Sequence, residues 1–177
     1  MRTITSLTTV AAIAVTLIAI TTMNVAAYEQ LPEARWEKSA NPHAQAFIEI
    51  GDELLGNSHY AAARRQYETA RDIIMLDGDF PNPALYRIAV SYYYEGRSVT
   101  AADQLEKLAS EATAYGDLVA QAWALADAAW INSRAGMKFA MDERVDRLKL
   151  LLRSPYLPSE VRSEILTRRF GEVAELN

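Results

Sequence analysis

Three triplets of side chains have types and spacing that suit recognition: Ile48, Asp52 and Leu55; Tyr86, Val90 and Tyr93; Trp123, Asp127 and Trp130. Each follows i, i+4, i+7, the spacing that puts residues on one side of a helix. Together they offer four large aromatics and two acids. Rigid aromatics bury much area at little entropy cost, so they anchor binding surfaces. Catalytic chemistry is poorly served by comparison. The two histidines, His43 and His59, do not form an i, i+4 metal pair, and a lone histidine at a turn is usually solvated. Zero cysteines remove thiol nucleophiles, zinc–thiolate sites and disulfides. There is no G-x-S-x-G and no phosphate-cradling glycine loop. The 23 Asp and Glu are spread over polar faces, where solvation accounts for most of them. No catalytic residue, metal ligand or cofactor site is expected.

Such triplets require helices to position them, and the chain reads as helical from His43 almost to its end. Gly56-Asn57-Ser58 ends one helix, with Ser58 expected to cap the next. Asp77-Gly78-Asp79-Phe80-Pro81-Asn82-Pro83 is a loop, with Asn82 as cap and Pro83 in the first turn, where its missing N–H costs nothing. Further breaks fall at Glu95-Gly96-Arg97-Ser98, Tyr115-Gly116 and Ala135-Gly136. Ser154-Pro155-Tyr156-Leu157-Pro158 precedes a last helix opened by Ser159 and running to about residue 176. No segment alternates with period two long enough to make a strand. The expected fold class is all-α, seven helices in antiparallel succession.

The pattern also repeats. Phe47, Ile50, Gly51 and Leu54 share a face; Leu85, Ile88, Ala89 and Tyr92 repeat the spacing, and Ala122, Leu125, Ala126 and Ala129 repeat it again. Each set precedes a partner helix with its own apolar stripe: Ala63, Tyr67 and Ala70; Ala101, Leu105 and Leu108; Met141, Val145 and Leu148. Helices that pack at the short end of the 8–10 Å range need Gly or Ala where they cross. Gly51 is expected to face Ala63, and Ala89 to face Ala101. The small residue recurs after 38 and then 37 residues.

In these features residues 43–152 resemble tetratricopeptide repeats, with a good first unit, a nearly equal second and a degenerate third. The family period is 34, so this chain implies longer loops. The resemblance implies a right-handed helical-hairpin solenoid of about three units with a C-terminal capping helix. On that helix Val161, Ile165, Leu166 and Val173 would cover the end of the array, while Glu160, Arg162, Arg168 and Arg169 stay wet. It further implies a concave groove for a partner segment, built by the triplets above, with Tyr86 and Tyr93 the most accessible and Trp123 and Trp130 either lining the groove or buried in the core. Asp52 and Asp127 would repel a terminal carboxylate, so an apolar or basic segment is the expected ligand. Arg144, Arg147, Lys149 and Arg153, interleaved with Asp142, Glu143 and Asp146, read as a solvated, paired face.

The first residues read as a secretory signal: Arg2, an apolar stretch over 10–20, then Val25-Ala26-Ala27 for cleavage. The domain plan is a signal over 1–27, an extended arm over 28–42 and the repeat domain over 43–177. A periplasmic or secreted location is expected, with an uncleaved, membrane-anchoring signal as the alternative. A formal charge of −5 gives no electrostatic footprint for nucleic acid, and no membrane span is expected after cleavage. The functional expectation is an exported scaffold, not an enzyme, binding a protein or peptide partner in the cell envelope. The alternative is a carrier or sensor of a small apolar ligand or glycan.

Overall fold

The computed structural model describes residues 38–170, so the signal over 1–27, most of the arm and Val173 lie outside the described residues. Among the described residues the chain is all-helical: α1 (Pro42–Gly56), α2 (Tyr60–Leu76), α3 (Asn82–Tyr94), α4 (Ser98–Tyr115), α5 (Leu118–Arg134), α6 (Lys138–Leu152) and α7 (Ser159–Ile165). A π-helical turn, Leu166–Phe170, continues α7. Consecutive helices from α1 to α6 pack on one another. No described helix is long and apolar enough to cross a membrane.

One backbone device makes five of the corners. After α1 the Ser58 N–H donates to Leu55 O at 2.9 Å and the His59 N–H reaches back to Leu54 O at 2.8 Å. The same pair of bonds closes α2 at Gly78 and Asp79, α3 at Gly96 and Arg97, α4 at Gly116 and Asp117, and α5 at Gly136 and Met137. This is the Schellman closure, which needs a left-handed residue to turn the chain while satisfying the last free carbonyls. Gly78, Gly96, Gly116 and Gly136 supply it with φ between 71° and 84°; in the first corner Ser58 takes it at φ 61°. Ser58 therefore ends α1 and does not cap α2, whose start has no side-chain cap. Asn82 likewise is the first residue of α3, after Pro81, and no side-chain cap bond is made there. The start of α1 is capped: Asn41 Oδ1 accepts from the His43 and Ala44 N–H groups at 2.8 and 3.0 Å.

The core-facing stripes of α2 and α4 fall where the spacing puts them. Ala63, Tyr67 and Ala70 are buried, as are Ala101, Leu105 and Leu108. In α1 the buried stripe is Ala44, Ile48, Gly51 and Leu55. Phe47 and Leu54 are half-buried and Ile50 is exposed, so the expected core face is rotated by one residue. Gly51 meets Tyr67, not Ala63: a Cβ built there would lie within 2.9 Å of three Tyr67 ring atoms. The small residue makes room for an aromatic ring close against α1.

Helices α3 and α5 have no dry and wet sides in their middles. Residues 84–91 of α3 and 122–132 of α5 are all buried. A helix buried all round is enclosed by neighbours on every side. Among the described helices, α4 and α6 pack extensively on α5, and α7 packs on it more lightly.

Candidate partner-docking face

The six residues from α3 and α5 in the triplets, Tyr86, Val90, Tyr93, Trp123, Asp127 and Trp130, are all buried, and so are Ile48 and Leu55 of α1. Asp52 alone keeps partial exposure, 28% of its side chain. The open aromatic groove that the resemblance implied is thus closed in this structure, including at Tyr86 and Tyr93. The physical reason is the enclosure of α3 and α5: one helical position beyond a core residue is still inside.

What these residues form is a pair of matching docking devices. On α1, Asp52 Oδ1 accepts from the Tyr67 hydroxyl at 2.8 Å and from Arg87 Nε of α3 at 2.8 Å. On α5, Asp127 Oδ2 accepts from the Tyr86 hydroxyl at 2.8 Å, and its Oδ1 accepts from Arg169 Nε at 2.8 Å. Each device is a carboxylate, a phenol and the Nε of an arginine that arrives from a later helical segment. Such charge-assisted bonds are the stronger kind, and they hold geometry where water is excluded. In the first device, burial, then the Asp52 charge and hydrogen bond, push the Tyr67 phenol far above its usual range, with Arg87 pulling the other way.

The second device is the more enclosed. Asp127 and Arg169 have side chains 0% and 4% exposed. The Arg169 guanidinium also lies 4.8 Å from the centre of the Trp130 ring, a cation–π contact, and Arg134 lies over the same ring at 5.2 Å. Tyr93 completes the wall, its ring 5.9 Å from that of Trp130. Arg169 is thus buried and paired, against the expectation that it stays wet. Arg168 and Glu160 are exposed as expected, while Arg162 is half-buried and donates to the carbonyls of Ser154 and Leu157. Ile165 is buried, Val161 half-buried and Leu166 exposed. The carrier of Arg169, α7 with its π turn, packs more closely on α5 than on α6.

The even-numbered helices are tied separately. Arg144 of α6 is buried and donates to Glu106 Oε2 at 2.9 Å and to Asp103 Oδ1 at 3.5 Å, both on α4, and Arg147 also pairs with Glu106. The basic cluster of α6 is therefore split: Arg144 and Arg147 hold α4, while Lys149 keeps its surface pair with Asp146. Helix α4 supplied those acids, and spacing within α6 gave no sign of them.

Sequence reasoning missed Arg169 and the pairing of Arg87 with Asp52. A signal existed for the first: an acid in a helix apolar on all sides, as Asp127 is within Ala-Trp-Ala-Leu-Ala-Asp-Ala-Ala-Trp-Ile, needs a cation from elsewhere. Among the described residues no cluster of three or more His, Asp or Glu is arranged to hold a metal ion. The chain matches no protein-family model, no curated protein and no solved structure.

Proposed function

We propose that this protein is an exported scaffold, not an enzyme, built as a right-handed array of about three tetratricopeptide-like units, and that it holds a protein partner on the α3–α5 face. The observation that carries this reading is the seat of Arg169: that face already receives a helical segment through a charged, aromatic-walled contact. Side-chain ties between alternate helices support the array, from α1 to α3 through Asp52 and Arg87, from α3 to α5 through Tyr86 and Asp127, and from α4 to α6 through Glu106 and Arg144. Asp127, the acid of that face, favours a basic segment.

A photo-crosslinking residue at Arg134, exposed and lying over the Trp130 ring, tests the face against a control at Leu76, which is 87% exposed at the end of α2. Expressed in its source cell, the chain is expected to give a discrete polypeptide adduct from position 134 and none from 76. No adduct, or the same adducts from both, overturns the reading. Export rests on the apolar stretch over 10–20 and Val25-Ala26-Ala27. It predicts a mature chain beginning at Tyr28, read by N-terminal sequencing; an intact leader on membrane-bound protein would give the anchored form.

A further inference from the structure

We propose that Asp127, Tyr86 and Trp130 form a receptor for an arginine-bearing helix, that α7 occupies it in the resting chain, and that the partner displaces α7 by presenting an arginine of its own. The inference rests on the scaffold reading and deepens it by naming the ligand.

Three observations converge. First, the site is built from the interior: a fully buried carboxylate, a hydroxyl fixed on it at 2.8 Å and an indole face beneath the guanidinium. Carboxylate and ring together select arginine over lysine, because a planar fork can bond edgewise and stack at once. Second, the same chain uses this arrangement at Asp52 and Tyr67 to dock α3 through Arg87. The device therefore recognises an arginine on a helix, and α3 is held there firmly because α4 packs over it. Helix α7 and its π turn, by contrast, pack only lightly on the other described helices. The helix spans seven residues, and its main neighbour is α5. Its buried attachments repeat at turn spacing, Ile165 and then Arg169, with 166–168 exposed between them.

Third, Arg169 is an imperfect occupant. Its Nη2 is buried without a hydrogen-bond partner among the described residues, and so is Arg162 Nε on the same segment. A buried donor left unpaired is a standing cost. An incoming helix that satisfies the same Asp127 and also gives its guanidinium a further acceptor binds better than the resident one.

The test uses the full chain and a labelled synthetic peptide of its own residues 159–177 as the arginine-bearing probe, read by fluorescence anisotropy. An occupied receptor lowers apparent affinity by the fraction of time it stands open. Arg169→Ala is therefore expected to bind the peptide about tenfold or more tightly than wild type. A peptide with lysine in place of its Arg169 should lose most of that gain. Equal binding by both proteins, no binding by either, or equal binding of both peptides overturns the proposal.

If Arg169→Ala does not fold, wild type gives the answer by amide exchange. Peptide above about 1 mM, the local concentration that a short tether gives α7, should speed exchange in α7 and leave α1 and α2 unchanged; an unaltered α7 overturns the inference. Concentration-dependent dimerisation of wild type that abolishes peptide binding would assign the site to a second copy and equally overturn it. Adducts at position 134 combined with failure of the peptide test would sink this inference alone; absence of adducts would sink the scaffold reading with it.

Discussion

At the scale of single residues, Gly51 sits so close to Tyr67 that no side chain fits between them. Alanine is the better helix former by about 1 kcal/mol, so a solvent-facing glycine in mid-helix should gain from replacement. Here the new methyl would meet a ring that is fully buried and tethered through its hydroxyl to Asp52. Overpacking then outweighs propensity, and Gly51→Ala is expected to destabilise by about 1–3 kcal/mol in urea unfolding; a stabilised variant would refute the packing. Glycine at this position was legible in the sequence as a packing device, but its partner was not. Small residues invite pairing with small ones, and only the structure shows a flat ring filling the space. Tyr67 also sets a pH dependence. Its folded phenol is held far above the ordinary value near 10, so above that pH the unfolded chain releases a proton that the folded chain keeps. Stability is full below about pH 10 and falls above it by about 1.4 kcal/mol per pH unit from this residue. Tyr67→Phe should show a shallower loss between pH 10 and 11; parallel curves for the two proteins would refute it.

At the scale of elements, the corners were the most legible part of the fold. Gly78, Gly96, Gly116 and Gly136 each follow a helical run, and each proves to be the left-handed residue of one repeated closure. Ser58 was misread for a sound reason: a serine before a helix usually caps it, and the hydrogen-bond demand of the preceding helix end is invisible in that logic. A left-handed non-glycine costs about 1–2 kcal/mol, partly offset by the freedom glycine adds to the unfolded chain. Ser58→Gly is therefore expected to raise stability by about 0.5–1 kcal/mol, read as a higher urea midpoint at unchanged slope. A lower midpoint would mean that the serine has a role this geometry does not show. The faces of α3 and α5 were the least legible, since projecting an outer face assumes that one exists. The apolar run on every side of Asp127 argued against it, and the repeat pattern masked that argument.

At the scale of the whole molecule, most described contacts join helices that are neighbours in sequence. In the proposed array, stability is close to a sum of local units and the interfaces between them. The damage from Gly51→Ala should thus stay near the α1–α2 end: amide exchange is expected to quicken there and to change little in α5. Uniform acceleration through α5 would instead describe a single cooperative block. The short connection between α6 and α7, Ser154-Pro155-Tyr156-Leu157-Pro158, carries a further consequence. A short tether presents its cargo at a local concentration on the order of millimolar. A free segment that binds no better than α7 must reach that concentration before it gains the site, so dilute arginine-bearing peptides pass unnoticed. A successful competitor must be anchored close by, or must grip more of the surface than one arginine covers. The tether thus turns an ordinary affinity into a threshold, and sets it by length of chain.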